Sequence, residues 1–256
     1  LPTSPGDKGE NGDRNSPTVL NAALHASQFW DGRAKDVEEQ AGMPILNPVE
    51  MAMPSEAFVV NRLQDIPEYQ ELFADAFPDD SSPISYDNLK KAIGAFEREL
   101  LTPSRFDDYL AGNKNALTLQ EKKGLSSFIS VGCTTCHAGN VLGGIQIQKF
   151  GVHDDYWNHI ESAEIDEGRY AVTQKDYDKY FFKVPSLRNV TLTAPYYHNG
   201  SEKSLEKVVT TMAKIQLEID LTSSEIENIM AFLQALEGDI PEKYKQDPFA
   251  STGSGS

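Results

Sequence analysis

Cys133-Thr-Thr-Cys136-His137 is the run in this chain best equipped for chemistry. Its two thiols are spaced one helical turn apart, close enough to form thioethers to both vinyl groups of a haem, and the adjacent imidazole reaches the iron from one face. A redox dithiol or half of a zinc site also begins with such a pair. A redox dithiol does not need the following histidine, however, and zinc wants two more soft ligands that a chain with only two cysteines does not supply. The pattern therefore predicts one covalent haem c. Covalent attachment takes place outside the cytoplasm, so the motif also predicts a periplasmic location.

The opposite face of the iron is either left open for peroxide or filled by Met or His for electron transfer, and a thioether ligand raises the potential. Five methionines compete for that role. Met43, Met51 and Met53 fall in a Pro-rich stretch, and Met230 fits the apolar stripe of the last predicted helix. Met212 stands at the end of a predicted helix beside Ala213-Lys214. Pattern alone leaves it open whether Met212 is a ligand or ordinary core packing.

The elements that must position these residues are mostly helical. Two short helices are predicted between Pro54 and Phe77: one over Phe58–Leu63, and one opened by Pro67 that buries Leu72, Phe73 and Phe77. Leu89, Ile93, Phe96 and Leu100 recur at spacings of four, three and four, marking one face of a helix that ends near Thr102-Pro103. Thr118-Leu-Gln-Glu121 and Thr222-Ser-Ser-Glu225 both have capping-box form. The first box leads through Leu125, Phe128 and Ile129 into Cys133. The second starts a helix carrying Ile226, Ile229, Met230, Leu233 and Leu236, with Gly238 as its stop. A further helix is expected from about Ser204 to Ala213. Residues 1–17 lack apolar periodicity and read as a loop. Cys136 to Tyr196 reads as long loops with a short strand pair, as expected around a large prosthetic group. The end, STGSGS, reads as a flexible tail.

The formal charge is −16, from 23 basic and 39 acidic residues. That argues against nucleic acid, which requires a basic footprint, and suits a basic protein partner. No run approaches the eighteen or so apolar residues of a membrane helix. Strands never alternate regularly with helices, so the fold class is mainly α.

Taken together, LPTS, NSPTVLNA, FWDGRA, NPVEM, AIGAFERELLTPSRFDDYLAG, NALTLQEKKGL, GCTTCH, FKVPSLRNVTLTAPYYHNGS and MAKIQL resemble the bacterial dihaem cytochrome c peroxidases, in order and over nearly the whole chain. The resemblance implies two cytochrome-c-like lobes with long loops around haem. Residues 1–101 would form the peroxidatic side and 102–238 the high-potential haem domain. Residues 239–256 would form a tail packing back on the first domain.

By the same resemblance Cys133, Cys136, His137 and Met212 form the haem site that receives electrons, with His198 near the haem edge. Trp30 matches the tryptophan between the family's two haems. Glu50 matches the distal carboxylate at the peroxidatic haem, which takes a proton from one peroxide oxygen and returns it to the departing one, and Gln40 matches a polar partner in that pocket. Asn15, Thr193 and Pro195 match a calcium site, where neutral oxygens and water suit the ion. His25, His153 and His159 carry no assigned role and read as surface or packing positions. The implied partners are hydrogen peroxide and a small electron donor, either a c-type cytochrome or a cupredoxin, and the family is often dimeric.

Two departures accompany the matches. Relatives carry an earlier haem motif upstream of LPTS, and this chain starts at LPTS, so it reads as the larger, C-terminal part of such an enzyme. Where many relatives have a histidine that ligates the resting peroxidatic iron, this chain has Asp7. A chain acting only as an electron-transfer module is the alternative expectation. A relative that oxidises a protein partner is a third, disfavoured because such relatives tend to replace the methionine ligand with tyrosine.

Overall fold

The computed structural model describes residues 1–245. In chain order its α-helices are α1 (Val37–Leu46), α2 (Glu56–Gln64), α3 (Pro67–Ala76), α4 (Tyr86–Glu99), α5 (Arg105–Leu110), α6 (Leu119–Val131), α7 (Tyr170–Thr173), α8 (Leu205–Leu217) and α9 (Ser223–Gln234). Two three-residue strands, β1 (Ile147–Lys149) and β2 (Phe181–Lys183), pair antiparallel with Ile147 opposite Lys183. The fold is mainly α, with one strand pair among the described residues, inside the long segment between Cys136 and Tyr196.

Side-chain caps explain where most helices begin. Asp36, Ser55, Ser85, Thr118, Ser204 and Thr222 each accept from a first-turn N–H that has no partner inside its helix. At Thr118 and Thr222 the box is complete, because Glu121 and Glu225 accept in return from the cap residue's backbone N–H. Pro67 occupies the opening turn of α3, where its missing N–H costs nothing.

The larger core lies between α6 and α9. Phe128, Ile229, Phe232, Leu233 and Leu236 are buried together with Phe106, Leu117 and Leu205. Fully burying such a side chain contributes about 1.5–3 kcal/mol, so this cluster is the main stabiliser of the second half. Gly124 allows the two helices to close, since a Cβ there would lie 1.9 Å from the Asn228 carbonyl oxygen. A smaller cluster of Ile45, Val59 and Tyr86 joins α1, α2 and α4, and the Tyr86 hydroxyl donates to the Gly42 carbonyl at 2.5 Å.

A buried polar knot ties together four stretches that are distant in the chain. The Thr102 hydroxyl accepts from the side-chain amides of Asn21 at 2.8 Å and Asn189 at 2.9 Å. Asn21 Oδ1 accepts from the Thr102 N–H, and Asn189 Oδ1 accepts from the Gly238 N–H. Beyond Gly238 the chain meets α4 again. The Tyr244 ring stands edge-on to Phe96, and Tyr244 and Lys243 both bond the Glu99 carboxylate. The Gly/Ser-rich end, residues 246–256, lies outside the described residues.

Several expectations need correcting. α8 runs one turn past Ala213 to Leu217, because Ile215 is fully buried and holds the helix on. α9 ends at Gln234, and Gly238 lies beyond it, pressed against the Thr102 and Pro103 backbone. Leu72 on α3 and Phe96 on α4 are about half exposed, at 51% and 49%, and the buried residues of α4 are Tyr86, Asn88, Gly94 and Glu97. α1 was not anticipated, since Pro44 sits inside it.

Candidate haem site

Gly132 turns the chain into the cysteine motif. It adopts φ 102°, ends α6, and is followed at once by a single tight turn over Cys133–Thr135. The Cys133 carbonyl accepts from the N–H groups of both Cys136 and His137. One turn thus carries all three motif side chains, and all three line one cleft. The cleft holds about 260 Å³, many times the roughly 10–15 Å³ that one buried water requires. Phe128 of α6, Met212 of α8 and Ile229 and Leu233 of α9 form part of its apolar wall.

The donor set in this cleft fits haem c. His137 Nδ1 lies 3.1 Å from the Leu142 carbonyl oxygen. A carbonyl only accepts, so the proton sits on Nδ1 and the Nε2 lone pair is left for a metal. Burial, the leading influence, holds this imidazole below its ordinary pKa, and it is therefore neutral near pH 7. Met212 brings a thioether into the same cleft from the middle of α8. Burial pushes the Cys133 thiol up to about 11, which makes it a poor thiolate for zinc. Among the described residues no group of three or more His, Cys, Asp or Glu gathers as a zinc site would need.

The other residues singled out from the sequence fall into two places. Trp30, Asn15, Thr193, Pro195 and His198 all line the same cleft as the cysteines. The Trp30 indole N–H donates to the Asn15 carbonyl at 2.8 Å, and the Asn15 N–H donates to the His198 carbonyl at 2.7 Å. Asn15 spends its amide N–H on the Pro2 carbonyl, leaving Oδ1 as its acceptor. His198 is 3% exposed, stacked on Phe182 and edge-on to Phe150, Tyr156 and Trp30. Burial brings it down to about 4, so it is neutral, and its Nε2 stands 4.0 Å from Asp166 with no hydrogen bond.

Glu50 lies elsewhere, in a second pocket with Asp7, Arg14, Met51 and Met53. Its Oε2 accepts from Asn47 Nδ2 at 2.8 Å, and its backbone carbonyl accepts from the Asp7 N–H at 2.7 Å. Gln40, on α1, is not among the residues lining that pocket. The segment Arg14–Ser16 is the wall between the two spaces: Arg14 lines the second, Asn15 lines the cleft, and Ser16 lines both. Of the remaining methionines, Met230 packs on the α6–α9 core and Met43 is 38% exposed.

Sequence reasoning missed two features. Arg14 holds Asp166 through two nitrogens and Asp31 through a third, at 2.6–2.8 Å, beneath His198. His25 lines the cleft with Lys183, whose Nζ lies 3.0 Å from His25 Nδ1. The Arg14–Asp166 and His25–Lys183 pairs join residues 152 and 158 positions apart, and no local pattern announces them. His153 and His159 lie toward the surface, near Glu218 and Asp154.

The chain is similar to known proteins over most of its length. The family model for di-haem cytochrome c peroxidase matches residues 1–115. The chain is 47% identical to a cytochrome c551 peroxidase of Pseudomonas aeruginosa, over 94% of this chain and 69% of that protein. It is 43% identical to a cytochrome c551 peroxidase of Nitrosomonas europaea, over 94% and 71%. The crystal structure of a MauG-like protein associated with microbial copper homeostasis superposes with a TM-score of 0.83 at 27% identity, covering 97% of this chain and 83% of that one. With relatives this similar over most of their own length, the chain belongs to the di-haem cytochrome c peroxidase family.

Proposed function

We propose that this chain is the electron-receiving part of a periplasmic cytochrome c peroxidase that reduces hydrogen peroxide to water, taking two electrons and two protons per peroxide. The observation that carries the proposal is the single cleft in which both motif cysteines, His137, Met212 and Trp30 meet. The names of the relatives at 47% and 43% identity support the same activity.

Haem c, when bound, supplies the one-electron redox centre. Cys133 and Cys136 would hold it by thioethers, and His137 Nε2 and the Met212 sulfur would be the side-chain donors to its iron. His137 is kept in the right tautomer by the Leu142 carbonyl. Trp30, tied by its indole N–H to the partition at Asn15, is the side chain positioned to pass electrons toward the Glu50 pocket. Glu50 has Oε2 occupied by Asn47, which leaves Oε1 to take a proton from one peroxide oxygen and return it to the other. Gln40, on α1 and outside the lining of that pocket, has no part in this step. Asn15 Oδ1, with oxygens of Thr193 and Pro195, would hold calcium at the cleft. The two-lobe division at residues 101/102, a small c-type cytochrome or cupredoxin as donor, and a homodimer complete the proposal. The acidic surface suits a basic donor.

Holoprotein from a host that attaches haem provides the test. One haem per chain and a weak long-wavelength sulfur-to-iron band in the oxidised spectrum are expected, with the band lost in Met212→Ala while the haem stays attached. Peroxide turnover with reduced donor cytochrome should exceed that of free haem. Haem without such turnover would leave an electron-transfer module.

A further inference from the structure

Lys183 is an unusual residue for its surroundings. It is 5% exposed and lines a cleft whose walls otherwise carry no lysine, arginine, aspartate or glutamate. Its side chain makes no ion pair within 4.0 Å among the described residues, although the chain carries sixteen more acidic than basic groups. The nearest acid acting on it, Asp31, is already engaged by Arg14 at 2.6 Å and Arg33 at 2.9 Å. What Lys183 has instead is His25 Nδ1, 3.0 Å from Nζ.

We propose that Lys183, seated beside His25, is the cationic anchor for a carboxylate of the cleft's occupant, and that this carboxylate is a propionate of haem c. This rests on the haem reading above and adds the residues that meet the group's charged edge. An ammonium taken out of water without an anion is costly, and a buried charge persists where it is paired and hydrogen-bonded. The cleft offers thiols, a thioether and imidazoles, all of them neutral ligands for the occupant, and one cation. An occupant with an apolar ring and acidic side arms matches both. Fixed backbone contacts hold the lysine in place: its N–H donates to the Trp30 carbonyl at 2.6 Å, and it ends β2 opposite Ile147.

His25 acts as a positioning residue. Because Nζ donates, Nδ1 accepts and the imidazole proton must sit on Nε2, which is buried without a partner. Burial first, and Lys183 second, push His25 down to about 3, so it does not compete as a cation. Lys183 is lowered by burial to about 8 and remains charged at neutral pH.

The test is the reduction potential of the Cys133/Cys136 haem in holoprotein at one pH, read against a fixed donor cytochrome. In Lys183→Met the uncompensated propionate favours the oxidised iron, and the redox equilibrium should shift about tenfold toward oxidised haem, or about 59 mV for one electron. Lys183→Arg should stay near wild type. A Lys183→Met haem with unchanged potential overturns the proposal. Should the variants fail to accumulate, a crystal structure of wild-type holoprotein decides the matter. Nζ within about 3.5 Å of a propionate oxygen, or one water from it, supports the anchor, and neither contact refutes it. A chain without haem would sink the haem reading itself, which is a different result from a haem that Lys183 ignores.

Discussion

Three helices build one apolar wall of the cleft around Cys133, whereas the pocket around Glu50 is walled by loops alone. α6, α8 and α9 bring Phe128, Met212, Ile229 and Leu233 to the cleft from a core whose central residues are fully buried. Around Glu50 the wall is made by residues 4–16 and 50–53, held by backbone bonds such as Asp7 N–H to Glu50 carbonyl, with Met51 49% exposed. The same chain thus builds one space by apolar packing and the other by loop-to-loop hydrogen bonding. Substitution should therefore damage the first through stability and the second through chemistry.

The largest expected effect is on the cleft. Cys133→Ala with Cys136→Ala should reduce covalent haem from one per chain to none, measured by intact mass and the pyridine haemochrome spectrum. On the Glu50 side, Glu50→Gln in the whole enzyme should lower kcat/KM for peroxide about 10²–10⁴-fold, the usual worth of a general acid–base. Its unfolding midpoint should stay at the wild-type value. A parallel loss of stability would show that Glu50 is structural. Phe232→Ala, at the centre of the α6–α9 core, should cost about 3–5 kcal/mol in denaturant unfolding. Leu72→Ala, on the exposed side of α3, should stay within about 0.5 kcal/mol.

A modest, pH-dependent effect concerns Asp107. Burial, the largest influence, would raise this carboxyl, but two bonds from Arg188 and two from Ser104 together bring it down to about 2. A depressed carboxylate stabilises the fold above its unfolded pKa of 3.8 and loses that contribution as pH falls through its folded value. With 35% of the Asp107 side chain exposed, screening leaves on the order of 1 kcal/mol. The gap between wild type and Asp107→Asn should be present at pH 6 and largely lost by pH 2.

The parts of the molecule legible in the sequence are those fixed by neighbours along the chain. The Thr118 and Thr222 boxes, the Pro67 start and the cysteine turn all form within a few residues. The buried face of α4 was misjudged at Phe96, because a period of 3.6 says that one face is apolar but not that a later segment, here Tyr244, will cover a second. α1 was hidden by Pro44, a residue that opposes helix locally and is overruled by the packing of Val37, Ala41 and Ile45. In the site, the Cys133 motif announces its own chemistry. Met212 does not, because a methionine on an apolar helix face reads the same whether it packs or ligates. Lys183 and His25 are 158 positions apart and were beyond any local reading.

The knot of Asn21, Thr102, Asn189 and Gly238 has one more consequence. These groups are neutral amides and a hydroxyl, and the three side chains are nearly inaccessible to water. Ionic strength and acidity therefore have little purchase on the joint, unlike a hinge made of ion pairs. Across salt and mild pH changes this joint should keep the segment at residue 21, the stretch after α4 and the stretch after α9 in one fixed arrangement.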